Sequence, residues 1–206
     1  MSLQRAAFLP SQPHQWLLPM FVLGSLILTA PLSAQESVVP GAPEVGDSAP
    51  QLELKSLKGE TVKLSELTEK GPVVLVVLRG FPGYQCPICS RQVADLIRHT
   101  DAFKEANAQV LFVYPGDVDD LEKKAKEFLG DTKLPDQFSM LLDPEYDMLL
   151  KWNLRWDAPR ETSYPSTFVI DGDGTIQFAT ISKSHGGRAK TDDVVKAVKS
   201  LKTDSK

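Results

Sequence analysis

The sequence is poor in the residues that build metal sites and long-range cross-links. It contains two cysteines and three histidines in 206 residues, and they do not follow the spacing of a zinc-binding motif. Basic residues form no continuous stripe and do not alternate with aromatic residues, and the formal net charge is −4. Because nucleic acids are bound through concentrated positive charge, we expect no nucleic-acid partner.

Long apolar segments are also scarce, and the one near the start is short. Residues 16–30 are mostly apolar but are interrupted by Pro19 and Gly24, whereas a membrane-spanning helix needs about 20 apolar residues. Small residues follow and lead to Ala34, in the order that is typical of a secretory signal peptide. We therefore interpret residues 1–34 as a cleaved signal and expect a periplasmic or secreted protein. An uncleaved membrane anchor is the alternative.

The remaining residues are numerous enough for one domain with a hydrophobic core. Residues 35–43 are rich in proline, glycine and small residues and are interpreted as a linker, and residues 44–206 as the domain. Apolar periodicity predicts strands at residues 51–54, 61–64, 73–78, 109–114, 138–142, 167–170 and 175–179, and helices over residues 87–103, 121–129 and 194–201. This alternation predicts an α/β fold with parallel and antiparallel strand pairs in one sheet.

The two cysteines lie together, as Cys86-Pro87-Ile88-Cys89, between a continuous apolar strand and a predicted helix. Proline is favoured at the first helical position, so Cys86 is expected at the N-cap, where free backbone N–H groups and the helix dipole stabilise a thiolate. Cys89 follows one turn later, on the side that faces the core. We therefore predict a redox-active disulfide in which Cys86 attacks and Cys89 resolves by thiol–disulfide exchange.

Two other roles for the cysteine pair remain open. A purely structural disulfide that closes a loop of about four residues contributes roughly 2 kcal/mol, against roughly 4–5 kcal/mol for a long loop, so this spacing is poor for cross-linking. A cuprous-copper carrier is the other alternative, because thiolates bind that ion and His185 offers a third ligand. For the redox role we expect neither a metal ion nor another bound cofactor.

Three segments carry a resemblance to a known family. Residues 72–92 include the run Arg-Gly-Phe-Pro-Gly-Tyr-Gln-Cys-Pro-Ile-Cys, residues 164–174 are Tyr-Pro-Ser-Thr-Phe-Val-Ile-Asp-Gly-Asp-Gly, and residues 46–50 are Gly-Asp-Ser-Ala-Pro. In this order they resemble the peroxiredoxin-like alkyl hydroperoxide reductase/thiol-specific antioxidant (redoxin) branch of the thioredoxin-like superfamily, over residues 44–201. The resemblance implies a thioredoxin fold, with a mixed central sheet flanked by helices and an N-terminal hairpin extension. It also implies a thiol-dependent oxidoreductase activity.

Further site residues are expected around the cysteine pair. The resemblance implies that Pro165 is a cis proline beside the pair, which would expose the backbone of Tyr164 to a bound peptide or a mixed disulfide. An ordinary proline at the start of a strand is the alternative. From its position next to the pair, Tyr84 is expected to shape access to Cys86. Arg79, at the end of the central strand, is expected to lie close to the site.

Two positions depart from the pattern of typical peroxiredoxins. Gly83 stands where those proteins carry a Thr or Ser, three residues before the reactive cysteine, and Pro165 stands where they carry an Arg. In the family these side chains bind the peroxide and stabilise the thiolate. The departures weigh against fast peroxide reduction unless Arg79 or Arg160 supplies the missing charge.

The function predicted from the sequence is therefore an exported thiol–disulfide oxidoreductase that cycles the cysteine pair between dithiol and disulfide. A thiol peroxidase that reduces hydrogen peroxide or organic hydroperoxides is the alternative, and the copper carrier is a second one. The expected partners are a disulfide-containing protein or a peroxide as substrate, and an external thiol as electron donor.

Overall fold

A mixed β-sheet forms the centre of the computed structural model, which describes residues 39–117 and 119–203. Its strands are β1 (Glu53–Ser56), β2 (Thr61–Lys63), β3 (Val73–Val77), β4 (Gln109–Pro115), β5 (Phe138–Asp143), β6 (Ser166–Ile170) and β7 (Ile176–Ile181). The helices are α1 (Leu64–Thr68), α2 (Pro87–Arg98), α3 (Thr100–Glu105), α4 (Leu121–Leu129), α5 (Asp147–Lys151) and α6 (Thr191–Thr203). Among them, the short helices α1 and α5 are additions to the elements predicted from the sequence.

The seven strands lie in the order β2-β1-β5-β4-β3-β6-β7. Strand β3 pairs in parallel with β4 and antiparallel with β6, and β4 pairs in parallel with β5. The hairpins β1–β2 and β6–β7 add antiparallel strands at the two ends of the sheet. The predicted α/β fold, a mixed central sheet flanked by helices with an N-terminal hairpin, is therefore confirmed.

The hydrophobic core lies on both faces of the sheet, which explains the continuous apolar sequence of β3. Alternate side chains of a strand point to opposite faces. Val74 and Val76 pack with residues of α2, α3, α4 and α6, whereas Leu75 and Val77 pack with residues of α1 and α5. All five residues of β3 are buried. The carboxyl end of β3 is consequently held in a rigid frame, and the cysteine segment follows directly from it.

Gly80 fixes the direction in which the chain leaves β3. Its φ angle of 64° lies in the left-handed region, and a Cβ atom at this position would overlap the carbonyl oxygen of Pro115. The next residue, Phe81, donates its backbone N–H to the same oxygen at 2.9 Å. A residue without a side chain is therefore needed to bring the loop before α2 against the end of β4.

The helix predicted over residues 87–103 is divided into α2 and α3. His99 lies between them with φ −99° and ψ 18°, outside helical geometry, and its ring Nδ1 is 2.9 Å from the carbonyl oxygen of Asp95. A side chain that bonds to a nearby backbone group competes with the helical hydrogen bond at that point. The continuous helix expected from apolar spacing is therefore interrupted at one residue.

The predicted signal peptide, residues 1–34, lies outside the described residues, as do residues 35–38 of the predicted linker. Among the residues that the structure describes, none of the helices combines the length and the apolar character that crossing a membrane requires.

Candidate active site

Cys86 and Cys89 are joined by a disulfide across the first turn of α2, with their Cα atoms 5.2 Å apart. Cys86 is the N-cap residue, with extended backbone angles, and Pro87 follows at the first helical position. The Cys86 sulfur accepts the backbone N–H of Cys89 at 3.2 Å. The sulfur thus lies where the free N–H groups of a helix terminus point, which is the geometry that the sequence predicts.

Both cysteines are buried. Cys86 is 3% exposed and Cys89 is fully enclosed. Burial in apolar surroundings disfavours a thiolate, so a neighbouring positive charge is needed if either sulfur is to ionise near neutral pH.

Arg188 supplies that charge, and sequence reasoning missed it. Its Nη2 atom lies 3.2 Å from the Cys89 sulfur and 3.8 Å from the Cys86 sulfur. Its Nη1 atom donates to Gln92 Oε1 at 2.6 Å, and Gln92 is itself bonded to the hydroxyl of Thr167. Burial, with a further contribution from the positive charge of Arg79, lowers the pKa of Arg188 to about 10, so the guanidinium stays protonated at neutral pH.

Arg79 lies at the end of β3 as predicted, but its guanidinium bonds to other partners. It is 2% exposed, forms an ion pair with Glu161 at 2.7 Å, and donates to the hydroxyl of Tyr84 and the carbonyl of Arg160. Burial by itself lowers the pKa of Arg79, but the hydrogen bonds to Glu161 and Tyr84 raise that pKa above its ordinary value. The charge beside the sulfurs comes from Arg188, which corrects the expectation that Arg79 or Arg160 provides it.

Glu161 is bonded from two sides. Besides the ion pair with Arg79, both of its carboxylate oxygens contact His185 Nε2, at 3.0 and 3.1 Å. Burial raises the pKa of Glu161, but the hydrogen bonds from Arg79 and His185 outweigh burial and hold that pKa below its ordinary value. Glu161 is therefore an ionised, largely buried carboxylate at neutral pH.

Tyr84 lies at the surface two residues before Cys86 and is 45% exposed. The guanidinium of Arg79 lies 4.7 Å from the centre of its ring, in addition to the bond to its hydroxyl. This position fits the predicted role of Tyr84 in shaping access to the cysteine pair, and that role stays a prediction.

The expected cis peptide at Pro165 is wrong: every described peptide bond, including this one, is trans. In the trans form, which is intrinsically favoured for X–Pro bonds, the chain runs straight into β6 and the Pro165 carbonyl accepts the N–H of Ser182 at 3.0 Å. The N–H of Tyr164 donates to the carbonyl of Leu154, and its own carbonyl accepts from the hydroxyl of Ser166. The Tyr164 backbone that was expected to pair with a substrate is therefore bonded within the chain.

His185, the third ligand of the copper alternative, has its Nε2 atom on Glu161 and its ring 5.7 Å from that of Trp156. Within the parts of the chain that the structure describes, no three His, Cys, Asp or Glu side chains come together in a group that could hold a metal ion. The copper alternative stays a prediction that an anaerobic cuprous titration would test.

Gly83 has a φ angle of 105°, which residues with a side chain rarely adopt, although a Cβ atom there would meet nothing within 4 Å. Backbone conformation thus explains why glycine replaces the Thr or Ser that the family resemblance led us to expect. The hydroxyl group missing here leaves the Arg188 guanidinium and the helix terminus as the polar groups that contact the sulfurs.

A cleft of about 650 Å³ lies between α2 and the segment that leads into α6, and Ile88, the residue between Pro87 and Cys89, forms part of its wall. Gln92 and Arg188 form part of its wall, together with the exposed basic residues Arg91 and Lys190. Arg188 therefore borders the cleft and also contacts the Cys89 sulfur, at 3.2 Å.

Comparison with known proteins gives consistent similarities. Residues 45–179 match the model of the AhpC/TSA family. The chain is 33% identical over 138 residues to "Peroxiredoxin Bcp" of Bacillus subtilis, covering 65% of this chain and 82% of that relative. It is 27% identical over 146 residues to chloroplastic "Peroxiredoxin Q" of Oryza sativa subsp. japonica, covering 71% of this chain and 63% of that relative.

Two solved structures share the fold. The peroxidoxin BcpB from Mycobacterium tuberculosis gives a TM-score of 0.59 at 22% identity, covering 79% of this chain and 98% of that one. A peroxiredoxin-like protein from Aquifex aeolicus gives a TM-score of 0.62 at 18% identity, covering 79% and 90%. Both similarities extend across most of the described residues and agree with the thioredoxin fold implied by the three sequence segments.

Proposed function

This chain belongs to the AhpC/TSA family and is a thiol-dependent oxidoreductase, and on that basis we propose that it is a thiol peroxidase in which Cys86 reduces a hydroperoxide and Cys89 resolves the product. The observation that carries the proposal is the Arg188 guanidinium, which contacts both sulfurs at the start of α2. The names of the relatives as peroxiredoxins support the same activity.

The proposed reaction uses the two cysteines in sequence. The Cys86 thiolate attacks the terminal oxygen of the hydroperoxide, the O–O bond breaks, and the alcohol or water leaves after taking a proton. Cys86 becomes a sulfenic acid. The Cys89 thiolate then attacks its sulfur, an S–S bond forms and water is released. Two electrons from an external thiol donor reduce the disulfide back to the dithiol.

Arg188 has two roles in this scheme. Its positive charge favours the thiolate over the buried neutral thiol, and its remaining N–H donors are suited to the oxygens of a peroxide, on which negative charge develops as the O–O bond breaks. In this way one residue, placed by a loop near the end of the chain, replaces the side chains that are absent at Gly83 and Pro165.

A second candidate is the thiol–disulfide oxidoreductase predicted from the sequence. It is favoured by the closed Cys86–Cys89 disulfide within one helical turn and by the glycine at position 83. In this cycle Cys86 forms a mixed disulfide with a substrate protein, and Cys89 releases it by exchange.

Stopped-flow oxidation of the reduced protein by hydrogen peroxide and by an organic hydroperoxide separates the two candidates. We expect fast oxidation of the wild type, none of Cys86→Ser, and a single oxidation without further turnover for Cys89→Ser. A wild-type rate equal to that of a free thiol at the same pH would contradict the peroxidase. Turnover of a disulfide-bonded peptide would then support the second candidate.

We further propose that the protein is exported. The proposal is supported by the order of apolar and small residues in the sequence of residues 1–34.

A further inference from the structure

The loop of residues 182–190, which connects β7 to α6, carries Arg188 to the cysteine pair. Its ends are attached to regular structure: the Ser182 N–H donates to the carbonyl of Pro165, and the Lys190 carbonyl accepts from the first turn of α6. Its middle contains Gly186 and Gly187, which have no side chains to hold it. The position of the guanidinium therefore depends on the bond from Arg188 Nη1 to Gln92 Oε1, at 2.6 Å, and on a small number of contacts in the middle of the loop.

His185 makes one of these loop contacts. Its Nε2 atom bonds to both carboxylate oxygens of Glu161, at 3.0 and 3.1 Å, and its ring packs beside that of Trp156. The carbonyl of His185 accepts Arg188 Nε at 3.1 Å. Through its side chain and its backbone, this one residue links the guanidinium of Arg188 to Glu161.

Glu161 in turn is attached to the other side of the site. It receives Arg79 Nε at 2.7 Å, and the same guanidinium donates to the hydroxyl of Tyr84, in the segment that leads to Cys86. A single, largely buried carboxylate thus connects the end of β3, the approach to the reactive cysteine and the loop that carries Arg188. Arg79 and Arg188 are close enough to repel each other, and this repulsion contributes to the lowered pKa of Arg188.

We infer that Glu161 and His185 are positioning residues, which together hold Arg188 against the sulfurs of Cys86 and Cys89. Neither side chain is required to touch the reacting atoms. This inference rests on the proposed function in giving Arg188 its role, and it adds the residues that make the role possible. Loss of the Glu161–His185 contact lets the loop move, and the Cys86 sulfur then loses part of its stabilisation as a thiolate.

The test measures the ionisation of Cys86 directly, by iodoacetamide alkylation across a range of pH in a reduced protein that carries Cys89→Ser. At about pH 6, below the ordinary thiol pKa of about 8.5, we expect His185→Ala to slow alkylation about threefold to tenfold. Arg188→Ala should slow it at least as much. Because His185 acts through Arg188, the double variant should be no slower than Arg188→Ala alone.

Two variants separate positioning from a general effect on the fold. His185→Gln places an amide N–H where Nε2 stood and should restore the alkylation profile, whereas His185→Asn is one carbon shorter and should behave like His185→Ala. Lys183→Ala, on the exposed side of the same loop, should leave the profile unchanged. If His185→Ala does not fold, the test is the difference between the alkylation profiles of His185→Gln and His185→Asn.

Additive effects of His185→Ala and Arg188→Ala would overturn the inference, as would an Asn variant with the wild-type profile. Failure of the proposed peroxidase function can be distinguished from failure of this inference, because the peroxide reaction and the alkylation of Cys86 are measured separately. A protein that does not react with peroxide still gives an alkylation profile. In that outcome the positioning role stands or falls on the profile alone.

Discussion

Arg188 and Cys86 are 102 residues apart in the sequence, yet the guanidinium Nη2 atom of the first lies 3.8 Å from the sulfur of the second. Cys86 caps α2 in the first half of the domain, whereas the loop before α6 lies near its carboxyl end. The β6–β7 hairpin, which pairs with β3, brings them together. The chemistry of the site is therefore completed only when the last part of the sheet has formed.

Replacement of Arg188 tests its proposed role in peroxide reduction. Removing a positive charge beside a thiol raises the pKa of that thiol by about 1–3 units. Arg188→Ala is therefore expected to lower the rate of oxidation by hydrogen peroxide at neutral pH by about tenfold or more. Arg188→Lys keeps the charge without the forked donors and should recover part of the rate. Arg91→Ala removes an exposed charge from α2 and serves as the control. Equal losses for both alanine variants would point to general electrostatics.

The Arg79–Glu161 pair should make stability depend on acid pH. The ordinary pKa of this carboxyl is 4.5 and the folded protein holds it lower, so the contribution of Glu161 is fully present above 4.5 and is lost as the pH falls through its folded value. Urea unfolding over this range should show a flatter pH dependence for Glu161→Gln than for the wild type.

Glu161→Ala should also destabilise at neutral pH. It leaves the buried Arg79 charge without its partner, which costs about 3–5 kcal/mol in comparable buried pairs. The side chain of Glu66 is exposed in its pair with Lys63, so Glu66→Ala is a matched control and should change the free energy of unfolding by about 1 kcal/mol or less. A small effect at Glu161 would mean that water reaches Arg79.

Gly80 and Gly83 provide a comparison of two glycines with positive φ. An alanine at either position incurs backbone strain of about 1–3 kcal/mol, but only at Gly80 does the added Cβ atom overlap a backbone oxygen. We expect Gly80→Ala to destabilise clearly more than Gly83→Ala in urea unfolding. Equal effects would mean that the loop before α2 can move away from Pro115 at little cost.

Export can be tested on the natural protein. If residues 1–34 act as a cleaved signal, N-terminal sequencing of protein recovered from the periplasm or the medium should begin at Gln35. Replacing Leu26 with Arg in the apolar segment should retain the chain inside the cell. An intact N-terminus in the exported fraction would instead support the membrane anchor.

Local sequence patterns predicted the sheet and one half of the site well. The apolar run of β3 has no other stable environment than the centre of a sheet covered on both faces. Pro87 set the start of α2 and, with it, the N-cap position of Cys86. These features depend on neighbours in the sequence, so they can be inferred without knowing the tertiary structure.

The other half of the site depends on contacts between distant segments. Arg188 follows two glycines in a loop without periodicity, and the only local signal was a histidine and an arginine close together before the last helix. The resemblance implies a cis peptide at Pro165, but the isomer depends on how the chain enters β6 and on the bond from the Ser182 N–H to the Pro165 carbonyl. Arg79 was placed correctly at the end of β3, yet its partner Glu161 could not be identified because 81 residues lie between them.

The enclosure of the two sulfurs has a consequence for the order of events during turnover. A hydroperoxide is a small molecule, whereas a protein donor has to bring its thiol to Cys86, a residue that is only 3% exposed. In the proposed peroxidase cycle, regeneration of the dithiol by such a donor therefore requires a conformational step, and the cycle would be divided into a half that admits small molecules and a half that waits for the chain to move.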